Sequence, residues 1–170
     1  MTNLEQPSTP GPEHRRLDVF VGTWNTKGRT WASGSEPAVE ILGTDSYEWL
    51  PGGFFLIHRV DVHMGSEKVD ALEIIGYDVA SQSYPTRFFD SQGNTGTYEA
   101  SVRDGIWTFA TDSTRATVTV GSDGHSMTIH WERVAGDDQA WVPWMDLELT
   151  RARPSAGGAR PSAPGARASS

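Results

Sequence analysis

The chain has 170 residues, with 22 acidic against 14 basic side chains, no cysteine, and 36% hydrophobic content that includes seven Trp, six Phe and four Tyr. That length allows one domain with a real core, and the aromatics offset the modest apolar fraction with large buried area per residue. Disulfides and thiolate metal sites are excluded, no apolar run approaches the roughly 18 residues of a spanning helix, and a formal charge of −8 argues against a phosphate-facing nucleic-acid surface.

Residues 1–12 are polar with three prolines and lack the apolar core of a secretion signal. They are expected to form a flexible leader, with the protein in the cytoplasm and no membrane partner. A short helix is expected around residues 13–21. From there to residue 151 the signals are those of strands, in ten runs: 19–30, 38–50, 54–64, 69–78, 84–90, 96–103, 106–111, 116–120, 126–134 and 141–151. Many are rich in Val, Ile, Thr and aromatics, which suit a pleated, half-buried surface. Turn chemistry separates them: Pro51-Gly52-Gly53, Met64-Gly65-Ser66, Gln92-Gly93-Asn94, Asp104-Gly105, Ser122-Asp123-Gly124 and Gly136-Asp137-Asp138. Short, evenly spaced strands without helical interruption predict an all-β antiparallel meander of about ten strands, and closure into a barrel removes its exposed edges. Residues 152–170 repeat an Ala-Arg-Pro-Ser theme with no large apolar residue, so a disordered tail is expected. The acidic residues all precede position 149, so the barrel region, residues 13–151, is more acidic than the whole chain.

Gly22-Thr23-Trp24 opens the ordered part of the chain and Leu149-Thr150-Arg151 closes it. This pairing resembles the signature of lipocalins and their calycin relatives. In such barrels the first-strand Trp plugs one end and an Arg from the last strand lies across its indole, a planar cation on a π-face. The segments 49–56 (Trp-Leu-Pro-Gly-Gly-Phe-Phe-Leu), 75–78 (Ile-Gly-Tyr-Asp), 88–91 (Phe-Phe-Asp-Ser) and 143–147 (Pro-Trp-Met-Asp-Leu) resemble a bacterial family of lipocalin-like single-domain proteins, over roughly residues 14 to 151. That family neighbours the nitrobindin-like haem barrels and has no assigned activity. The resemblance implies a lipocalin-like barrel with an internal pocket; calycins carry small apolar or amphipathic molecules, and a few are isomerases or cyclases. In nitrobindin-like barrels a last-strand His ligates the iron. Here the strand reads Val142-Pro143-Trp144-Met145-Asp146-Leu147, and the indole of Trp144 does not bind iron, so no cofactor is expected.

The residues themselves offer one chemical candidate. The five histidines are His14, His58, His63, His125 and His130, and none has the spacing of a zinc or facial-triad site. His58 and His63 are an odd number of residues apart, so on one strand they face opposite sides. His58 travels with Leu56, Val60 and Val62 on an apolar face, which makes it a pocket histidine or a core histidine satisfied by a neighbour. On the next run two registers are open. Either Glu73 points inward beside His58, where the pair is suited to move protons, or Leu72 and Ile74 do. Asp90 either enters the pocket or caps the turn at Ser91-Gln92-Gly93. No Gly-x-Ser-x-Gly elbow and no phosphate loop is present.

The expected site is therefore His58 and Glu73 as the acid–base pair, with Tyr77, Phe88, Asp90, Trp131 and Trp144 lining or bordering a ligand pocket. The expected partner is a small hydrophobic ligand or substrate. Binding is the first functional expectation. The second is an isomerase, cyclase or hydrolase acting on an apolar small molecule. Polar alternation on the outer faces gives an assembly role little support, and a homodimer stays open.

Overall fold

The first ordered residues make a lid. Pro12 starts a one-turn helix, α1 (Pro12–Arg15), that passes into a 3₁₀ turn over Arg16–Val19, in a computed structural model describing residues 9–136 and 139–153. Proline suits a first helical position, where its missing N–H costs nothing. The helical segment ends at Val19, so the first strand starts three residues later than the sequence pattern implies. Residues 1–8 and 154–170, which carry most of the expected leader and tail, lie outside the described residues, as do Asp137 and Asp138 of the last expected turn.

Ten strands follow: β1 (Gly22–Thr30), β2 (Glu40–Trp49), β3 (Leu56–Met64), β4 (Glu67–Ile75), β5 (Tyr84–Asp90), β6 (Thr95–Arg103), β7 (Ile106–Ala110), β8 (Thr114–Val120), β9 (Ser126–Ala135) and β10 (Ala140–Arg151). Each pairs antiparallel with the next, and β10 returns to pair with β1, so the sheet closes on itself. Alternation then decides what faces in: Trp24 and Thr26 on β1, Ile41, Asp45 and Tyr47 on β2, and Leu56, His58 and Val62 on β3 are all buried. Among the described residues no helix is long and apolar enough to cross a membrane.

The core gathers at the end of the barrel under the lid. Leu17 and Phe20 are completely or almost completely buried against Trp24, Tyr84, Trp107, Met127 and Leu149. The Phe20 ring lies 5.2 Å from that of Trp107 and stacks on Tyr47 at 5.4 Å. Polar ties hold the lid down: Trp24 Nε1 donates to the Phe20 carbonyl at 2.7 Å, Tyr84 Oη to the Glu13 carbonyl at 2.9 Å, and Trp49 Nε1 to Asp18 Oδ1 at 2.8 Å.

The Gly-x-Trp opening and the closing arginine meet as their pairing implies. Trp24 lies opposite Arg151 in the β1–β10 register, and the guanidinium carbon sits 4.2 Å from the indole centroid. Arg151 also donates to the carbonyls of Gly124, Val21 and Val19, tying the last strand to the lid. Gly22 is a glycine for two reasons. Its φ is +128°, and a Cβ there would stand 2.5 Å from Arg151 Nη1.

Candidate functional site

Four neighbouring strands each turn polar side chains into the barrel. In the β2–β3 register Tyr47 lies opposite His58, and in the β3–β4 register His58 lies opposite Glu73. Asp45 is two residues from Tyr47 on β2 and so shares its inward face. The outcome is a continuous chain: Thr26 Oγ1 donates to Asp45 Oδ2, Asp45 Oδ1 lies 2.7 Å from His58 Nε2, and His58 Nδ1 lies 2.7 Å from Glu73 Oε2. The imidazole also stacks face to face on the Tyr47 ring, with centroids 3.9 Å apart and planes within 5°.

Electrostatics fix the imidazole's state. Burial alone would lower the His58 pKa; the Glu73 charge and the hydrogen bonds to Asp45 and Glu73 outweigh it and hold the pKa at about 9. His58 is therefore an imidazolium at neutral pH, clasped between two carboxyl groups and lying on an aromatic face. The same surroundings act on the phenols. Burial, then the Asp45 and Glu73 charges, push Tyr47 well above its ordinary range. Burial and the Glu73 charge push Tyr98 up to about 12.

This polar chain forms one side of a cavity of about 170 Å³ that is otherwise mostly apolar. Val60, Val62, Ile75, Phe109, Val118, Ile129 and Leu147 make much of its wall, with Tyr98, Trp131 and Met145 beside them. The Glu73 side chain keeps 19% of its surface, against 9% for His58 and 8% for Asp45, so Glu73 is the carboxylate most open to a cavity occupant.

The residues singled out from sequence separate into two groups. His58, Glu73 and Trp131 all line this cavity, and Glu73, not Leu72 or Ile74, takes the place opposite His58. The other four lie outside the lining. Tyr77 sits at the lid end, its ring 5.6 Å from His14 and 5.1 Å from Tyr84. Phe88 packs at 5.1 Å on Tyr98, which itself takes the wall position. Asp90 accepts from the backbone N–H groups of Gln92 and Asn94 at 3.0 and 2.8 Å, so it organises the β5–β6 turn instead of entering the cavity. Trp144 falls at a β-bulge between Pro143 and Met145, which gives Met145 the wall position. Its ring meets Trp131 edge-on at 5.9 Å and Arg133 at 5.8 Å.

Thr26, Asp45, Tyr47 and Tyr98 escaped the sequence reading. The signal for two of them is visible in β2, where Ile41, Gly43, Asp45, Tyr47 and Trp49 alternate with outward residues. A carboxylate on that face calls for a buried partner. The haem of the resembling barrels does not fit these residues. Among the described residues His58 is the only imidazole in the cavity wall, both its nitrogens are engaged, and the space is too small for a porphyrin.

Residues 9–134 match the family described as Protein of unknown function (DUF1579), and the chain belongs to that family. Among curated proteins none matches. Two solved structures share the fold at low identity. The crystal structure of Rv2717c from M. tuberculosis is 13% identical, with 84% of this chain and 99% of that chain covered at a TM-score of 0.60. The S-type phycobiliprotein lyase CPES from Guillardia theta is 7% identical, with 85% and 99% covered at a TM-score of 0.59. A de novo designed fluorescence-activating β-barrel is 15% identical, with 80% and 96% covered at a TM-score of 0.43.

Proposed function

We propose that this barrel binds a small hydrophobic or amphipathic molecule in its cavity, with His58 and Glu73 at the polar side and Trp131 in the apolar wall. One observation carries the reading: a mostly apolar cavity of about 170 Å³ with a hydrogen-bonded chain of polar side chains along one side. Apolar walls supply affinity and a few convergent polar groups fix orientation, which is the general design of small-molecule pockets. Native mass spectrometry of protein purified from its own host, under gentle and denaturing conditions, tests it. A small molecule released only on denaturation is the expected result. A barrel that is empty as purified, and whose tryptophan fluorescence no apolar probe changes, overturns the reading.

A second reading has its own support. A carboxylate lies within hydrogen-bond reach of His58 on each side, as acid–base chemistry requires. In this reading the protein is an isomerase, cyclase or hydrolase of an apolar small molecule. The roles differ from those expected from sequence alone. Both His58 nitrogens are occupied, so Glu73 is the group that meets the substrate, and His58 is a positioning residue behind it. Once a ligand is in hand, Glu73→Gln should abolish turnover while His58→Gln should alter the pH profile. A Glu73→Gln protein that turns over at the wild-type rate removes the catalytic reading.

A further inference from the structure

We propose that the cavity selects amphipathic amines: ligands of about one ring, or the equivalent short chain, whose protonated nitrogen sits against Glu73. This names a ligand class for the binding reading above and rests on it.

The hydrogen bonds of His58 fix the net charge of the polar cluster. Each of the two 2.7 Å contacts on His58 needs one proton between nitrogen and oxygen. An imidazole ring stripped of both protons carries −1, and the two carboxylates carry −2. Adding the two shared protons leaves −1, wherever along the chain those protons rest. The Thr26 hydroxyl donates into Asp45 and adds no charge. The polar cluster therefore has one negative charge in excess.

Nothing among the described residues of the cavity wall cancels that charge. The lining holds no Lys and no Arg. Arg133, the arginine two residues along β9 from Trp131, lies on the Trp144 ring instead. An uncompensated charge facing apolar walls is costly, and an occupant that brings a cation offsets the cost. The acceptor is ready: His58 engages Glu73 Oε2 and leaves Oε1 on the carboxylate most open to the cavity. A protonated amine placed there makes a charge-assisted hydrogen bond. The rings of Tyr98, Phe109 and Trp131 line the same space, and aromatic faces attract organic cations.

Size narrows the class. An apolar cavity of roughly 150 Å³ accommodates benzene, and this one measures about 170 Å³. A carboxylate ligand of that size meets like charge. An alcohol can donate to Glu73 but leaves the excess charge in place.

The test is titration calorimetry of the full-length protein with a matched set: 2-phenylethylamine, 2-phenylethanol, 3-phenylpropanoate and ethylbenzene, near pH 7. The amine should bind about tenfold or more tighter than the alcohol, with the carboxylate weakest. Glu73→Gln should bring amine and alcohol to similar affinity. Should that variant fail to fold, the order among the four compounds on wild-type protein still decides. If the alcohol, ethylbenzene or the carboxylate binds as tightly as the amine, the charge preference is wrong and the apolar binding reading stands. If none of the four binds, the preference and the cavity's use for ligands of this size fall together.

Discussion

His58 is where sequence, electrostatics and stability meet in one side chain. Its folded pKa of about 9 lies above the ordinary 6.5 of an unfolded histidine. A raised pKa means the folded state holds the proton more tightly. The associated stability is fully present below pH 6.5 and is lost as pH rises through 9. The loss is on the order of 3 kcal/mol, which for a domain of this size lowers Tm by roughly 10 °C. Thermal unfolding between pH 6 and 9 should show that decline, and His58→Gln should remove it. A flat Tm across the interval would mean that His58 is not a buried imidazolium. Asp45, Glu73, Tyr47 and Tyr98 are the other titratable groups of this cavity among the described residues, and both phenols stay protonated throughout the interval because their pKa values are pushed upward.

At the scale of elements, the lid and the first strand do most to define the core. Leu17 has no exposed surface although it belongs to a single 3₁₀ turn, so packing of its side chain adds to the turn's few short-range hydrogen bonds, which alone would be marginal. Leu17→Ala should lower stability by about 2–5 kcal/mol, read as a reduced denaturant midpoint at unchanged slope. Gly22→Ala should be costly for a different reason. It forces an L side chain to φ +128° and onto the Arg151 guanidinium, a strain of about 1–3 kcal/mol before any loss of the Trp24 contact. Wild-type stability in that variant would mean Arg151 can leave the Trp24 ring freely. Gly43 shows a third constraint. A Cβ there would fall onto the backbone of Asp61 and Val62, so the close approach of β2 to β3, next to Asp45 on the same face of β2, depends on an absent side chain.

For the whole molecule, closure is the decisive event. The β1–β10 pairing joins Trp24 to Arg151, nearly the full length of the barrel apart in sequence. Long-range pairing of this kind makes folding slow, in the range of about milliseconds to seconds. We expect the Arg151 clasp to form late. Arg151→Ala should then accelerate unfolding more than it slows refolding, as followed by tryptophan fluorescence in stopped flow. An effect confined to the refolding rate would place the clasp early in folding.

Alternation, turn chemistry and the absence of helical periodicity determined an antiparallel ten-stranded barrel from sequence alone, because a period of two is a local property of the chain. The Trp24–Arg151 contact was legible only through the resemblance of its flanking motifs to those of lipocalins. His58 was recognisable from its apolar neighbours on β3. Glu73 was legible as one of two possibilities, because which face of β4 turns inward depends on pairing register, and register belongs to the closed sheet; Asp45 and Thr26 were not read at all. Only the tertiary structure set Glu73 opposite His58, brought Asp45 and Thr26 in from two other strands, and turned four separate polar side chains into one buried chain. It also sent Asp90 to a turn and Trp144 to a bulge, where hydrogen-bond geometry between strands, not residue type, chooses the direction of a side chain.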